Sequence, residues 1–391
     1  MTPDVAQQEI VAPDSTEQVA EILRPLNQQG RAVEIGGAGT KRDWGNGVDA
    51  ALLLDTRNLA GVRVHSWQDL TATVAAGTVW STMQRALAQH GQRVALDPLW
   101  QERATVGGVL ATNDSGSLRL RYGSLRDLII GMTIVLADGT VAKSGGKVVK
   151  NVAGYDLHKL MIGAFGTLGV VTEVTFRLHP LPKASATWTL ASSDIKALDR
   201  VRHGLADSTM SIESLQLRMC EGAYSLDVRF ASLPDALEDH VGRLQSLAGS
   251  LEVVAGDEAV WFSRETLFGA ARVMVKDRTT VSDCAMVKVT MSAAQTAALT
   301  SEVAALGGQC VTQQSGIMIA SLAPDAARIL KLRESAEAGG GSLIVLHWPE
   351  ELTPRPDPWG KIGASLTLMR EIKRRFDPHR ILNPGRFVGG I

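Results

Sequence analysis

The chain is poor in cysteine, nearly neutral, and has no long apolar run. Its three cysteines, Cys220, Cys284 and Cys310, are odd in number and widely spaced. That spacing argues against a disulfide framework and against a cysteine-held metal or iron–sulfur centre; reduced, buried thiols in a cytoplasmic protein are expected. Forty basic residues stand against 41 acidic ones, a net charge of −1, and no basic block occurs. Nucleic acid is therefore not an expected partner. No stretch approaches the roughly 18 apolar residues of a membrane-spanning helix. Met1 to Glu9 has neither a basic region nor an apolar core, so no signal peptide is expected.

What is present is ordinary for a globular protein: 45% hydrophobic and 21% charged residues in 391. That length allows two domains, each with its own core. Glycine stands out by its placement. Three rich loops fall in the first half: Gly36-Gly37-Ala38-Gly39-Thr40; Gly107-Gly108 with Asn113-Asp114-Ser115-Gly116; and Gly163-Ala164-Phe165-Gly166-Thr167-Leu168-Gly169. Glycine admits positive φ and lets backbone amides approach a ligand closely. Three such loops, each beside an expected strand or helix start, point to backbone wrapped around a large phosphate-bearing cofactor. Two common signatures fail. A dinucleotide fingerprint would need a glycine where Arg42 stands, and Gly146-Lys147 is followed by Val148, which is not a P-loop.

Periodicity predicts strands at 31–35, 51–55, 70–76, 130–136, 141–144 and 170–178. It predicts helices from Thr16 to near Gly30, from Trp80 through Met83 and Leu87 to a stop at Gly91, and from Tyr155 to Phe165. Asp138-Gly139 reads as a hairpin turn. From Ser185 to Val254 the order is strand, helix, strand, strand, helix, strand, and it repeats from Cys284 to Trp348. A helix around 257–267 lies between. This predicts two βαββαβ units in one antiparallel sheet with helices on one face. A last amphipathic helix is expected at 359–376, ahead of the turn-rich Leu382-Asn383-Pro384-Gly385.

Taken in order, these pieces resemble the vanillyl-alcohol-oxidase, or PCMH-type, FAD-binding family. The resemblance rests on the three loops, on Ala104-Thr105-Val106, Arg121-Tyr122-Gly123, Lys150 to Leu157, Val170-Val171-Thr172-Glu173, and Leu382 to Gly385. Within the family the chain resembles the 2-hydroxy-acid oxidase branch, in particular the smaller FAD-binding subunit of bacterial glycolate oxidase. The implied fold is α+β: a two-subdomain FAD-binding domain at 1–182, a cap domain with an antiparallel sheet at 183–358, and a C-terminal segment, 359–391, packing on the FAD domain. The implied cofactor is FAD, and with Thr40 and Lys41 in the first loop and no histidine there, it is expected to be non-covalent. The implied cofactor-binding residues are Gly36, Gly37, Ala38, Gly39, Thr40, Thr105, Gly107, Gly108, Asn113, Ser115, Gly116, Tyr122, Gly169, Val170, Val171 and Asn383. Each glycine of the third loop has a second reading, close helix–strand packing.

For substrate the resemblance implies a 2-hydroxy acid such as glycolate or D-lactate. The carboxylate-binding candidates are Arg264, in a Trp261-x-x-Arg264 element, and Lys288. The alternative for Arg264 is a solvated helix residue with Trp261 and Phe262 in the core. Metal-dependent relatives carry a histidine pair where this chain has Gly339-Gly340-Gly341-Ser342-Leu343-Ile344-Val345-Leu346-His347, so no catalytic metal is expected. Their Ser-Glu before Gly-Thr-Leu-Gly is Ala164-Phe165 here. Two functions stay open: a hydroxy-acid-oxidising flavoprotein subunit, and an auxiliary or electron-relay subunit beside a sister flavoprotein. Both imply a sister flavoprotein and an iron–sulfur subunit as partners, and a cytoplasmic chain held at the inner face of the membrane through them.

Overall fold

The computed structural model describes residues 8–146, 156–269, 274–275, 278–279, 284–349, 352 and 354–391. The chain divides into two compact units, and the division is not contiguous in sequence. Residues 1–115, 123–181 and 361–391 form the first; residues 116–122 and 182–360 form the second.

The first unit opens with β1 (Glu9–Val11), α1 (Thr16–Gln29), β2 (Val33–Gly36) and β3 (Leu52–Asp55). These strands make a small parallel sheet in the order β1-β3-β2. α1 begins where the Ser15 side chain accepts from the Gln18 amide and ends at Gly30, φ 63°, a left-handed position that glycine takes without a Cβ penalty. Its buried face, Val19, Ala20, Leu23 and Leu26, packs with Val33, Leu52 and Leu54, and with Ile381 and Leu382 from the chain's end.

A second sheet is antiparallel, built of β4 (Val62–Ser66), β5 (Thr71–Ala75), β6 (Ile129–Val135), β7 (Val141–Gly145) and β8 (Val170–Arg177). In space the order is β4-β5-β8-β6-β7. Two helices cover it, α2 (Trp80–Ala88) and α3 (Val106–Thr112). Trp80, Met83 and Leu87, the expected apolar stripe, are fully buried against Val74, Val174 and Phe176. The helix expected up to Phe165 is absent from the described residues: a single 3-10 turn, Leu157–Leu160, is followed by irregular backbone. Gly163, Phe165 and Gly166 take φ of 77°, 54° and 71°, which no right-handed helix tolerates.

His158 sits in that turn, almost fully buried. Its Nδ1 and its backbone nitrogen both lie 3.1 Å from the Ser144 hydroxyl. Burial lowers its pKa below 6.5; Asp156 opposes the shift, and Lys159 and Arg126 add to it. A depressed folded pKa means the unfolded chain binds the proton more readily. The associated stability is present above pH 6.5 and is lost as pH falls toward the folded pKa. The thermal midpoint of His158→Gln is therefore expected to fall less than that of the parent between about pH 7.5 and about pH 5.5. Parallel pH profiles would refute this.

The second unit carries the expected duplicated pattern. Its first half is β9 (Ala184–Ser192), α4 (Ile195–Ala206), β10 (Ile212–Cys220), β11 (Ala223–Ser232), α5 (Pro234–Ala248) and β12 (Val254–Ala255). The second half is β13 (Ala285–Thr290), α6 (Thr296–Ala305), β14 (Gln309–Gln313), β15 (Ile317–Leu322), α7 (Ala326–Ala338) and β16 (Ser342–His347). All eight strands form one sheet in the order β12-β9-β11-β10-β14-β15-β13-β16. The two halves mirror each other across the antiparallel β10–β14 pair. Helices and strands share two apolar clusters, one per half.

Three details differ from the sequence reading. Cys220 is exposed, because it ends its strand at the turn. Residues 258–266 form a 3-10 segment and one α-turn in place of a continuous helix. The last helix begins at Ser365, since Gly360, φ 75°, interrupts the expected run. Among the described residues no helix is long and apolar enough to cross a membrane.

Candidate functional site

A cleft of about 1020 Å³, its open mouth included, lies within the first unit. All three glycine loops reach its wall, the second through Gly107 and Gly108. The first loop leaves the C-terminal end of β2. Thr56 Oγ1 donates to Gly36 O at 3.0 Å and fixes that exit. A Cβ at Gly37 would lie 2.4 Å from Thr105 Oγ1, so only glycine lets the loop pass the start of α3. Gly39 has φ 70° with nothing near its missing Cβ. Among the described residues the amides of Ala38 and Gly39 donate to no acceptor of the chain. Such amides fit an anion.

The second loop is organised by α3. Thr105 caps it, accepting from the Gly108 amide at 3.2 Å. Gly107 brings the helix against Ala76, where an added Cβ would sit 3.2 Å from the Ala76 Cβ. Asn113, φ 47°, closes the helix in a left-handed conformation. The third loop folds back on α3: the Gly163 amide donates to Leu110 O at 3.0 Å and the Phe165 amide to Ala111 O at 2.9 Å.

Two buried ionic groups hold the first loop, and sequence reasoning missed both. Glu34 on β2 takes Arg42 Nε at 2.9 Å and Nη2 at 2.5 Å. Arg386, from the chain's end, lies 3.7 Å from the same carboxylate and donates to Arg42 O at 2.9 Å. Burial lowers the Arg386 pKa, with Glu34 opposing the shift. On the loop's other side Lys41 Nζ pairs with Asp114 Oδ2 at 3.2 Å. It lies over the Trp44 and Trp100 rings at 5.7 and 5.4 Å. Asp114 also accepts from the Leu99 amide at 2.8 Å. Three cations, Lys41, Arg42 and Arg386, and one carboxylate, Glu34, thus line the cleft.

The C-terminal segment braces the third loop. Asn383 uses both ends of its amide: Oδ1 accepts from Ile35 N at 2.7 Å and Nδ2 donates to Phe165 O at 2.7 Å. Behind it Lys373 Nζ donates to Thr167 O at 2.7 Å, to Leu382 O at 3.0 Å and to Asp377 Oδ2 at 2.7 Å. Asp377 in turn accepts from Ile381 N and Leu382 N at 3.0 and 2.8 Å. Burial lowers the Lys373 pKa and Asp377 opposes it. The four-residue spacing of Lys373 and Asp377 was the available signal, but it marks an exposed helix pair equally well.

Of the expected cofactor residues, Gly36 to Thr40, Thr105, Gly107, Gly108, Gly169, Val171 and Asn383 line the cleft. Asn113, Ser115 and Val170 lie in the same unit away from that lining; Val170 packs in the core around α1. Gly116 and Tyr122 belong to the second unit, where the Tyr122 hydroxyl donates to Glu213 at 3.0 Å. Lys150 to Tyr155 lie outside the described residues.

Both carboxylate candidates are in the second unit. Arg264 is not solvated: it is 5% exposed, whereas Phe262 is 52% exposed. Lys288 on β13 points away from the helices, since Val287 and Val289 face them. It pairs across the sheet with Ile319 and Ile344. Gln313, a neighbour of Arg264, lies on β14 two strands away, which is roughly 10 Å. Among the described residues no group of three metal-ligating side chains occurs.

Comparison with known proteins agrees with this geometry. Residues 8–145 match the FAD binding domain family, and residues 361–387 match the C-terminal domain of FAD linked oxidases. The chain is 34% identical over 189 residues to the glycolate oxidase subunit GlcD of Bacillus subtilis, covering 48% of this chain and 40% of that one. It is 36% identical over 184 residues to the mitochondrial D-lactate dehydrogenase [cytochrome] of Arabidopsis thaliana, covering 47% and 31%. It is 40% identical over 133 residues to the glycolate oxidase subunit GlcE of Escherichia coli, covering 34% and 38%. The matches thus span less than half of each of these relatives. Among solved structures an alkyldihydroxyacetonephosphate synthase superposes with a TM-score of 0.69 at 17% identity, over 96% of this chain and 75% of that one. The cofactor is FAD and the fold is that of the PCMH-type FAD oxidases.

Proposed function

We propose that this chain, an FAD-binding protein of the PCMH type, is the FAD-bearing subunit of a complex that oxidises a 2-hydroxy acid to a 2-oxo acid. Glycolate and D-lactate are the first candidates. The observation that carries the reading is the glycine-walled cleft. It is braced in place by Glu34, Arg386, Lys373 and Asn383, and it coincides with an FAD-binding and oxidase-type sequence match. The names of the matched relatives support the substrate class.

The amides of Ala38 and Gly39 are suited to the pyrophosphate, and Lys41, Arg42 and Arg386 offset its charge. The Thr105 hydroxyl and the Gly107-Gly108 backbone form the opposite wall. FAD, when bound, supplies a two-electron acceptor for the hydrogen on the hydroxyl-bearing carbon. Arg264 is the proposed cation for the substrate carboxylate, since a guanidinium fork matches it bidentately. Lys288, on the face of the sheet turned from the helices, is the second candidate.

One observation favours an auxiliary role with a sister flavoprotein doing the oxidation. The stretch where metal-dependent relatives carry a histidine pair is here the edge strand β16, with Leu343 and Val345 committed to the core. Anaerobic titration of the FAD-loaded chain with glycolate and with D-lactate separates the readings. Loss of the flavin absorbance by the chain alone supports autonomous oxidation, and loss only when the sister subunit is added supports the auxiliary role. No loss in either case overturns the proposal. In the reactive preparation Arg264→Ala is expected to retain FAD and to lose at least about 100-fold in reduction efficiency, the size of a lost charge-assisted contact.

A further inference from the structure

Among the described residues seven non-glycine positions have positive φ. Two of them, Phe165 at 54° and Asn383 at 41°, line the cleft and bond to each other. Asparagine accepts the left-handed region, because its short polar side chain bonds locally there. For phenylalanine the same conformation is strained backbone. Such strain persists only where the surroundings impose it, and it gathers at ligand clamps. Both residues are buried, and both belong to the first unit.

Both peptide groups of Phe165 are tied. Its amide donates to Ala111 O at 2.9 Å, and its carbonyl accepts from Asn383 Nδ2 at 2.7 Å. Its ring stacks on Phe387 with centroids 5.8 Å apart, a contact of the side chain and not of the backbone. Asn383 is tied in turn to β2: Oδ1 accepts from Ile35 N at 2.7 Å, and its own amide donates to Val33 O at 3.0 Å. Gly166 leaves the room this needs, since an added Cβ there would lie 2.7 Å from Asn383 Nδ2. One side chain thus joins the strand that feeds the first loop to the left-handed turn of the third.

We propose that Asn383 is a positioning residue of the cofactor cleft, acting through Phe165. By donating to the Phe165 carbonyl it imposes the left-handed turn, and by accepting from Ile35 N it sets that turn at a fixed distance from the first loop. The task needs a donor and an acceptor on one short side chain, on a residue that itself takes positive φ. Aspartate lacks the donor, glutamine is one methylene longer, and glycine has neither group. The third loop is then ordered before FAD enters, so its ordering cost does not weaken binding. The inference needs FAD as the cofactor and is independent of the 2-hydroxy-acid reading.

The test is a double-mutant cycle on the full chain, each apoprotein being titrated with FAD and followed by flavin fluorescence. Asn383→Gly removes the amide and leaves a residue that takes φ 41° freely. Phe165→Gly likewise takes φ 54° without support. With Phe165 in place, Asn383→Gly is expected to raise the FAD Kd at least about 30-fold, the scale of two backbone groups left unpaired. In the Phe165→Gly background the same change is expected to cost at least about tenfold less, a coupling of roughly 1.4 kcal/mol, because residue 165 no longer has to be held. Comparison within each background cancels the loss of the phenyl ring. Hydrogen exchange of the Phe165 amide is also expected to quicken in Asn383→Gly. An equal loss of affinity in both backgrounds, which a merely structural role would give, overturns the inference, and so does an FAD Kd unchanged in Asn383→Gly. Should Asn383→Gly not fold, Asn383→Asp enters the same cycle with the same deciding outcomes: it keeps an acceptor for Ile35 N and loses the donor to Phe165 O.

Discussion

Gly37→Val yields a folded, colourless protein with an FAD Kd raised by more than about 100-fold, roughly 2.7 kcal/mol. The cause is local. The first Cβ atom already falls 2.4 Å from Thr105 Oγ1, and valine adds two methyl groups. Something must move. If Thr105 retreats, it releases the Gly108 amide that it caps at 3.2 Å, and losing such a cap costs about 1 kcal/mol. If the loop retreats, the amides of Ala38 and Gly39 leave the cleft wall. Gly47→Ala is the control, because nothing lies within 4 Å of its added Cβ. Titration of each apoprotein with FAD, followed by flavin fluorescence, measures the effect. Circular dichroism establishes that the variant is folded. A yellow, stoichiometrically loaded Gly37→Val would remove the first loop from the cofactor site.

The largest loss of stability is expected from Lys373→Met. Lys373 is 3% exposed and Asp377 is fully buried. Removing one partner of a buried pair costs about 3–5 kcal/mol, because the other charge stays behind without compensation. Here Asp377 keeps its two backbone donors, Ile381 N and Leu382 N, which tempers the loss. Thr167 O and Leu382 O, however, each lose the ammonium as a donor. The urea midpoint should fall with an unchanged m-value, and FAD affinity should fall with it, since Thr167 belongs to the third loop. Asp377→Asn should be destabilising as well, because one of two accepting oxygens becomes a donor and the buried Lys373 ammonium loses its counter-charge. A midpoint for Lys373→Met within about 0.5 kcal/mol of the parent's, the range of ordinary surface substitutions, would mean the pair is not structurally important.

How much of this was readable in advance varies with the kind of signal. The sheet of the second unit was legible because its strands alternate cleanly and its helices step at the helical period. The order strand, helix, strand, strand, helix, strand appears twice, and the pairing of β10 with β14 completes it. The first loop was legible because Gly37 and Gly39 have no other ready use after a buried strand. The segment before Phe165 misled, because its apolar spacing fits a helix while Gly163, Phe165 and Gly166 take positive φ. Spacing does not encode φ at a phenylalanine. Arg264 was singled out in the sequence with its burial undecided; whether that segment's arginine or phenylalanine faces inward depends on what packs above it.

By itself the sequence determined most of the element order and the glycine backbone of the cleft. These depend on residue type and spacing, which are local properties. Only the tertiary structure decided which charges are buried and what they hold. Lys41 and Asp114 are far apart in sequence, as are Glu34 and Arg386, or Arg264 and Gln313. Lys373 and Asp377 are near neighbours that acquire their role only once Thr167 and Leu382 close around them. Desolvation makes such pairs strong or costly, and desolvation is a property of what surrounds a residue, which no local pattern records.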